Sequence, residues 1–307
     1  MRVANLSGRM SVLVDGHPVD VHEASGGRFG PAPETVFDQW APFRAWAQEE
    51  YGAALEGGAD APLWPLEAEV GAPSPRPRQS FGVGLNYVRH AQEAGFDLPE
   101  LPVVFTKFPT CIVGPDHEVE LPRGSVDWEV ELVVVIGAHA HRIDEAQAWA
   151  VVAGLTLGQD LSERELQHAG PAPQFGPAKS FPGFGPTGPV LVTPDAFADP
   201  DDLRIECHLN GEAVQDGRTS DMLFPVASLV SWLSHITPLC PGDVIFTGTP
   251  SGIGAAMDPP RFLRPGDELL SRLEGVGTLR TRIGRTVHDG PGVPSSRAGT
   301  AAGEPGA

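Results

Sequence analysis

A chain of 307 residues with 41% hydrophobic content can hold one large domain, or one large and one small, around a substantial core. Its 37 glycines and 32 prolines disfavour a helical bundle and suit short strands joined by many turns. With 21 basic against 40 acidic residues the net charge is −19, which argues against nucleic acid or an anionic membrane surface as a partner. An anionic substrate would then need a cation, or a few placed Lys and Arg, for local compensation. The three cysteines, Cys111, Cys207 and Cys240, are odd in number and lack CxxC spacing, so neither a zinc knuckle nor a disulfide framework is indicated. The amino terminus has no apolar run of signal-peptide length, and no window approaches about 18 apolar residues. A reducing cytoplasm is the expected setting.

In chain order, "RMSVLVDGHPVDV" alternates apolar and polar residues around Asp15-Gly16, a hairpin pattern. "ETVFDQWAPFRAWAQEEYGAAL" carries apolar residues at helical spacing and predicts one helix. These elements are expected to form a small amino-terminal domain over residues 1–75, closed by the proline-rich "GAPSPRPRQS". From there to residue 284 the pattern is strand and turn with short helices. The helix candidates are "DEAQAWAVVAGL", with Asp144 as its cap, and "PVASLVSWLSHI". Residues 285–307 are small, polar and proline-rich, and are expected to be disordered.

The stretch "WEVELVVVIG", residues 128–137, reads as a buried strand headed by two carboxylates. Side chains alternate along a strand, so Glu129 and Glu131 point the same way. Two anions beside a core repel each other and resist desolvation unless a cation sits between them. Oxygen ligands without Cys or clustered His suit Mg²⁺, Mn²⁺ or Ca²⁺. Asp160, in "GLTLGQDLSERELQ", is the candidate third carboxylate. Taken alone, an E-x-E in a strand reads first as a solvated edge.

Other residues point to chemistry. In "GLNYVRHAQEAG", His90 and Glu93 lie three apart, on one side of a helix, where a carboxylate can orient an imidazole as a general base. The same spacing also fits an ordinary surface contact. "GTPSGIG" is a glycine-rich turn able to offer backbone N–H groups to an oxyanion, and lacks the lysine of a phosphate-binding loop. Asp127 shares the face of Glu129 and reads as a supporting residue. His139 and His141 read as loop residues, and nothing marks Cys111 as a nucleophile.

From about Phe81 to Ile283 these pieces together resemble the fumarylacetoacetate hydrolase superfamily, which includes acylpyruvate hydrolases, oxaloacetate decarboxylases and hydroxymuconate-type isomerases. They are, in order, "GLNYVRHAQE", "VVFTKFPTCIVG", "VDWEVELVVVIG", "GQDLSERELQ", "AKSF", "GPTGP", "NGEAVQDGRTSDMLF", "PGDVIFTGTPSGIG", "LRPGD" and "LEGVGTL". The resemblance implies an α+β, β-rich fold: a roll of mixed sheets over residues 76–284 with a small amino-terminal domain, assembled as a homodimer. It implies Glu129, Glu131 and Asp160 as ligands of Mg²⁺ or Mn²⁺, and His90 with Glu93 as base and orienting carboxylate. It places Lys179, Arg164 and Gln167 at substrate oxygens and Thr249 at a substrate carboxylate, with Tyr87 and Lys107 in matching segments.

The implied substrate is a small β-diketo or 2-oxo acid, and the leading expectation is hydrolysis of a carbon–carbon bond in an acylpyruvate or fumarylacetoacetate-like compound. Isomerisation and decarboxylation use the same enolate logic, and a non-catalytic metal-binding relative is the remaining alternative. Three positions depart from the family pattern. Gln159 stands where Asn is usual and Leu155 where Tyr is usual. Phe181-Pro182-Gly183-Phe184 replaces a polar segment and is expected to make the substrate wall less polar.

Overall fold

A computed structural model describes residues 1–55, 69–93 and 95–287. The hairpin forms as expected: Arg9–Val14 pairs with His17–Asp20, and Asp15 and Gly16 both take positive φ, 48° and 78°, as a two-residue turn between twisted strands requires. The helix expected over 34–55 is two helices, Pro33–Phe37 and Trp40–Tyr51. Pro42 explains the break, since in a continuous helix its ring would strike the carbonyl four residues earlier. Asp144 precedes the Glu145–Val151 helix, with its N–H donated to Gln147 Oε1 at 3.1 Å. That helix is shorter than its apolar run, because Val152–Gln159 continues as a strand.

The frame is one large mixed sheet. Its path runs His17–Asp20, Arg9–Val14, Arg2–Leu6, Gly185–Val192, Val152–Gln159, Val130–Ile136, Val244–Phe246, Ser80–Gly84 and Val103–Thr106. A second sheet orders Glu212–Arg218, Arg204–Leu209, Glu268–Leu273, Gly277–Thr286 and Asp116–Leu121. Val130–Ile136 is buried along its whole length, which is why it reads as an apolar run. Its Val133 and Val135 pack with Phe37, Trp40 and Phe43 of the amino-terminal helices. Leu132, Val134 and Ile136 face the other way, toward Leu229 and Leu233 of the Val226–Ile236 helix and the second sheet.

The first strand of the expected small domain over 1–75 joins the central sheet. Arg2 and Val3 pair with Val192 and Leu191 of the central sheet, and the two helices share one core with Met10, Val12 and Phe29 and with Val133, Val135 and Phe246. The proline-rich segment is likewise stitched in, with Asn5 Nδ2 donating to Ala72 O and Ser74 Oγ to Gly242 O. At the other end the last strand runs to Thr286 and Val287 N donates to Leu121 O at 2.8 Å, and residues 288–307 of the expected disordered tail lie outside the described residues. Among the described residues no helix is long and apolar enough to cross a membrane.

The parallel seam between Asp116–Leu121 and Gly277–Thr286 is clamped by charge. Asp116 accepts from Arg280 Nη2 at 2.6 Å and from Arg282. Burial alone would raise its carboxyl, but the two guanidiniums overcome this and hold it below the usual carboxylate range. A depressed carboxylate contributes stability above its unfolded pKa that is lost as pH falls through the folded value. Asp116→Asn is thus expected to cost up to about 1 kcal/mol at neutral pH and to flatten the acid-side fall of Tm, measured by thermal melts from pH 7 to 3.

Candidate active site and metal centre

Antiparallel register assembles the carboxylates. Val130 pairs with Gln159 and Glu131 with Gly158, and Asp160 N donates to Glu129 O at 2.8 Å. Glu129 is therefore opposite Asp160, and directly opposed residues share a face. Glu131 lies two residues along on the same face, opposite Gly158, whose missing side chain leaves room for Val133 and Phe246. One ligand oxygen from each of Glu129, Glu131 and Asp160 lies within 4.8 Å of the others, and all three residues are buried. The reading of the E-x-E as a solvated edge is excluded.

Buried cations surround them. Lys179 Nζ donates to Glu129 Oε2 and Asp160 Oδ2, each at 2.7 Å, and to Ser162 Oγ at 2.8 Å. Lys107 Nζ donates to Asp160 Oδ1 at 2.6 Å, to Phe184 O at 3.2 Å and to Lys179 O. Arg164 reaches Glu129 Oε1 at 2.7 Å, Gln167 Oε1 at 2.9 Å, and Asp127 Oδ2 through Nε and Nη2 at 2.9 and 2.8 Å. Burial alone would raise the Glu129 carboxyl, yet Lys179 and Arg164 overcome it and bring it to about 2. Glu131 goes the other way: burial, then the charges of Asp160 and Glu129, push it well above its ordinary value.

Four buried carboxylates, Asp127, Glu129, Glu131 and Asp160, thus meet three buried cations, Lys107, Arg164 and Lys179. Glu131 is the member without an ion pair, and it accepts from Gly248 N at 2.8 Å. An all-oxygen set of ligands with one carboxyl left outside the ion pairs fits a hard divalent cation of the Mg²⁺, Mn²⁺ or Ca²⁺ kind.

His90 and Glu93 lie on the Val88–Glu93 helix, and His90 Nδ1 is 3.0 Å from Glu93 Oε1. Glu93 also accepts from Gly252 N through both oxygens, at 3.0 and 2.9 Å, so it is fixed from two sides. His90 and Glu93 line a cavity of about 280 Å³ with Glu129, Arg164, Gln167, Lys179 and Thr249. Val83, Phe96, Phe105, Phe175 and Ile253 make its apolar wall.

Several expectations change on inspection. Tyr87 stands apart, on a separate cavity of about 210 Å³ with Arg89, Asp216 and Ser251; its phenol is buried without a hydrogen-bond partner, and burial and then Glu131 raise its pKa. Phe181 and Phe184 do not form the substrate wall; their rings meet each other at 5.1 Å against the core. The "GTPSGIG" turn spends N–H groups on the protein's own carboxylates: Gly248 on Glu131, Gly252 on Glu93 and Gly254 on Asp127. The Thr249 hydroxyl is engaged as well, donating to Val130 O and accepting from Gln215.

Asp127 supports as expected, binding the N–H groups of Gly254 and Ala255 on one side and Arg164 on the other. Gln159 earns its place by accepting from Glu129 N at 2.9 Å while donating to Ser271 Oγ at 2.8 Å. Ser162, Gln215 and His168, the last on the cavity wall, carried no individual signal. His139 and His141 are exposed and take no part in the carboxylate cluster, and burial raises the Cys111 thiol, which leaves it a poor nucleophile.

Mixed sheets thus bring three buried carboxylates together beside a cavity that His90, Glu93 and Glu129 line. Residues 79–284 match the family described as fumarylacetoacetate (FAA) hydrolase C-terminal, and the chain belongs to it. A mitochondrial oxaloacetate tautomerase from Homo sapiens is 45% identical over 214 residues, 69% of this chain and 68% of its own length. A protein from Mycobacterium smegmatis solved under the name HpcE is 49% identical with a TM-score of 0.85, covering 93% of this chain and 99% of that one. Fumarylacetoacetate hydrolase from Exiguobacterium antarcticum is 32% identical with a TM-score of 0.75, covering 93% and 99%.

Proposed function

We propose that the protein is a metal-dependent enzyme of enolisable 2-oxo acids, and that its reaction is keto–enol proton transfer on a substrate of the oxaloacetate kind. One observation carries the reading: an oriented base, His90 with Glu93, and a carboxylate of the cation site, Glu129, line the same cavity. The 45% identity to an oxaloacetate tautomerase supports it. Proton transfer also asks for no co-substrate beyond the base and the cation site.

A divalent cation held by Glu129, Glu131 and Asp160 would polarise a carbonyl and give two adjacent substrate oxygens a template. Glu93 accepts the Nδ1 proton of His90, so Nε2 is the nitrogen that takes a proton from the carbon beside the carbonyl and returns it. Lys179 and Arg164 keep Glu129 ionised. Gln167 commits its amide oxygen to Arg164, which leaves its NH₂ group as a donor for a substrate oxygen.

Hydrolysis of a carbon–carbon bond is the second reading, favoured by the Phe96, Phe105, Phe175 and Ile253 wall, which suits an apolar acyl group that oxaloacetate lacks. In that case His90 would deprotonate water, and the leaving carbanion would depart as an enolate. Ultraviolet loss of the enol chromophore, followed on oxaloacetate and on an acylpyruvate series with Mn²⁺ or chelator, tests both readings. Loss on oxaloacetate without release of pyruvate supports tautomerisation, whereas pyruvate plus a free acid from an acylpyruvate supports hydrolysis. No metal-dependent loss on any of them would sink the reading.

A further inference from the structure

Residues 247–254, which follow the Val244–Phe246 strand, touch both halves of the site. At one end Gly248 N donates to Glu131, and at the other Gly252 N donates to Glu93, the partner of His90. Neither position accepts a side chain. A Cβ on Gly248 (φ +102°) would lie 2.8 Å from Asn86 Cβ, and one on Gly252 (φ +106°) 2.0 Å from Val214 O.

Gln215 holds the strap at Thr249 and Pro250, and Trp128 Nε1 donates to Gly252 O at 3.1 Å. Gln215 is 2% exposed and uses its whole amide. Its Oε1 accepts from Val130 N at 3.0 Å, and its Nε2 donates to Thr249 Oγ1 at 2.8 Å and Pro250 O at 2.9 Å. Thr249 Oγ1 in turn donates to Val130 O at 2.9 Å. Val130 is the residue between Glu129 and Glu131. The neighbouring strand pairs with Val133 through Val135 and then stops, so beyond it Val130 has no backbone partner on that side. Gln215 and Thr249 take the place of the missing strand, and in doing so tie the cation-site strand to the strap.

We infer that Gln215 is a positioning residue that makes the His90–Glu93 base and the Glu129–Glu131 strand one rigid unit, setting the base against the cation site. It touches neither substrate nor metal, and it acts through Glu93. The inference rests on the proposed use of His90 as the base, but its structural half can be read without turnover. A misplacement of a base by about 1 Å costs on the order of 10²-fold in rate with little change in ground-state binding.

The test uses full-length Gln215→Met, and Gln215→Glu, which keeps the acceptor for Val130 N while losing both donors. In metal-free protein, hydrogen exchange over 247–254 is expected to rise in both variants. With substrate, kcat is expected to fall about 10–100-fold at a KM within threefold of the parent. In a double-mutant cycle, Gln215→Met in a Glu93→Ala background is expected to lower kcat no further, because the residue it acts through is gone. Unchanged exchange over 247–254 overturns the inference whatever the activity. So does an equal loss of kcat in the two backgrounds, or a loss confined to Tm. Faster exchange in a protein inactive on every substrate would uphold the strap and sink the proposed function alone.

Discussion

His90→Ala is expected to lower kcat by about 10²–10⁴-fold while leaving metal binding intact and Tm within a few degrees. The imidazole lines the cavity and is held by Glu93 at 3.0 Å, and it is not among the carboxylates or cations that close the charge cluster. Its loss removes a proton carrier without unpairing a buried charge, since Glu93 keeps the Gly252 N–H. The measurement is initial rates on the enol panel beside a Mn²⁺ titration followed by thermal shift. Partial recovery of rate with added imidazole would tie the loss to proton transfer. An unchanged rate would return His90 and Glu93 to an ordinary contact on one helix face.

The cation site predicts an effect of similar clarity on stability. At free Mn²⁺ near 100 times Kd, binding to the native state alone adds about 2.7 kcal/mol, or roughly 4 °C in Tm for a chain of this size. Chelator is expected to reverse the rise. Glu131→Gln is expected to abolish it, and to do so without lowering the Tm of the metal-free protein. That second clause follows from charge: Glu131 is the carboxylate with no ion pair, crowded by Asp160 and Glu129, and a neutral amide of the same shape removes that repulsion. Glu129→Gln contrasts with it, because it strips Lys179 and Arg164 of a charge they both bind and leaves two buried cations under-compensated. A variant pair that behaves alike, or a parent that shows no rise with any divalent ion, would remove the metal from the site.

Much of the site lay in local sequence. Alternation along "WEVELVVVIG" put Glu129 and Glu131 on one face, and the continuous apolar run after them marked a strand buried on both sides, as Val130–Ile136 is. Three-residue spacing put Glu93 beside His90, and Asp15-Gly16 marked the tight hairpin. Pro42 also carried a legible stop signal inside the first helical run, outweighed there by periodicity.

Other features had no local trace. The amino-terminal segment looked self-contained because its own strands and helices are well patterned, yet Arg2 and Val3 find their partners at Val192 and Leu191. The glycines of "GTPSGIG" signalled free N–H groups, and the fold points them at Glu131, Glu93 and Asp127. Phe181 and Phe184 looked like pocket lining and went to the core, while Phe105 and Phe175 line the cavity.

The sequence by itself determined which side chains share a face of one strand or one helix, because those periods are properties of the local backbone. Only the tertiary structure decided that Asp160 opposes Glu129, that Lys107 and Lys179 converge on the carboxylates, and that Gln215 caps the bare edge at Val130. Those outcomes depend on strand register and on which distant groups must pair once water is excluded, and no short stretch of chain contains that information.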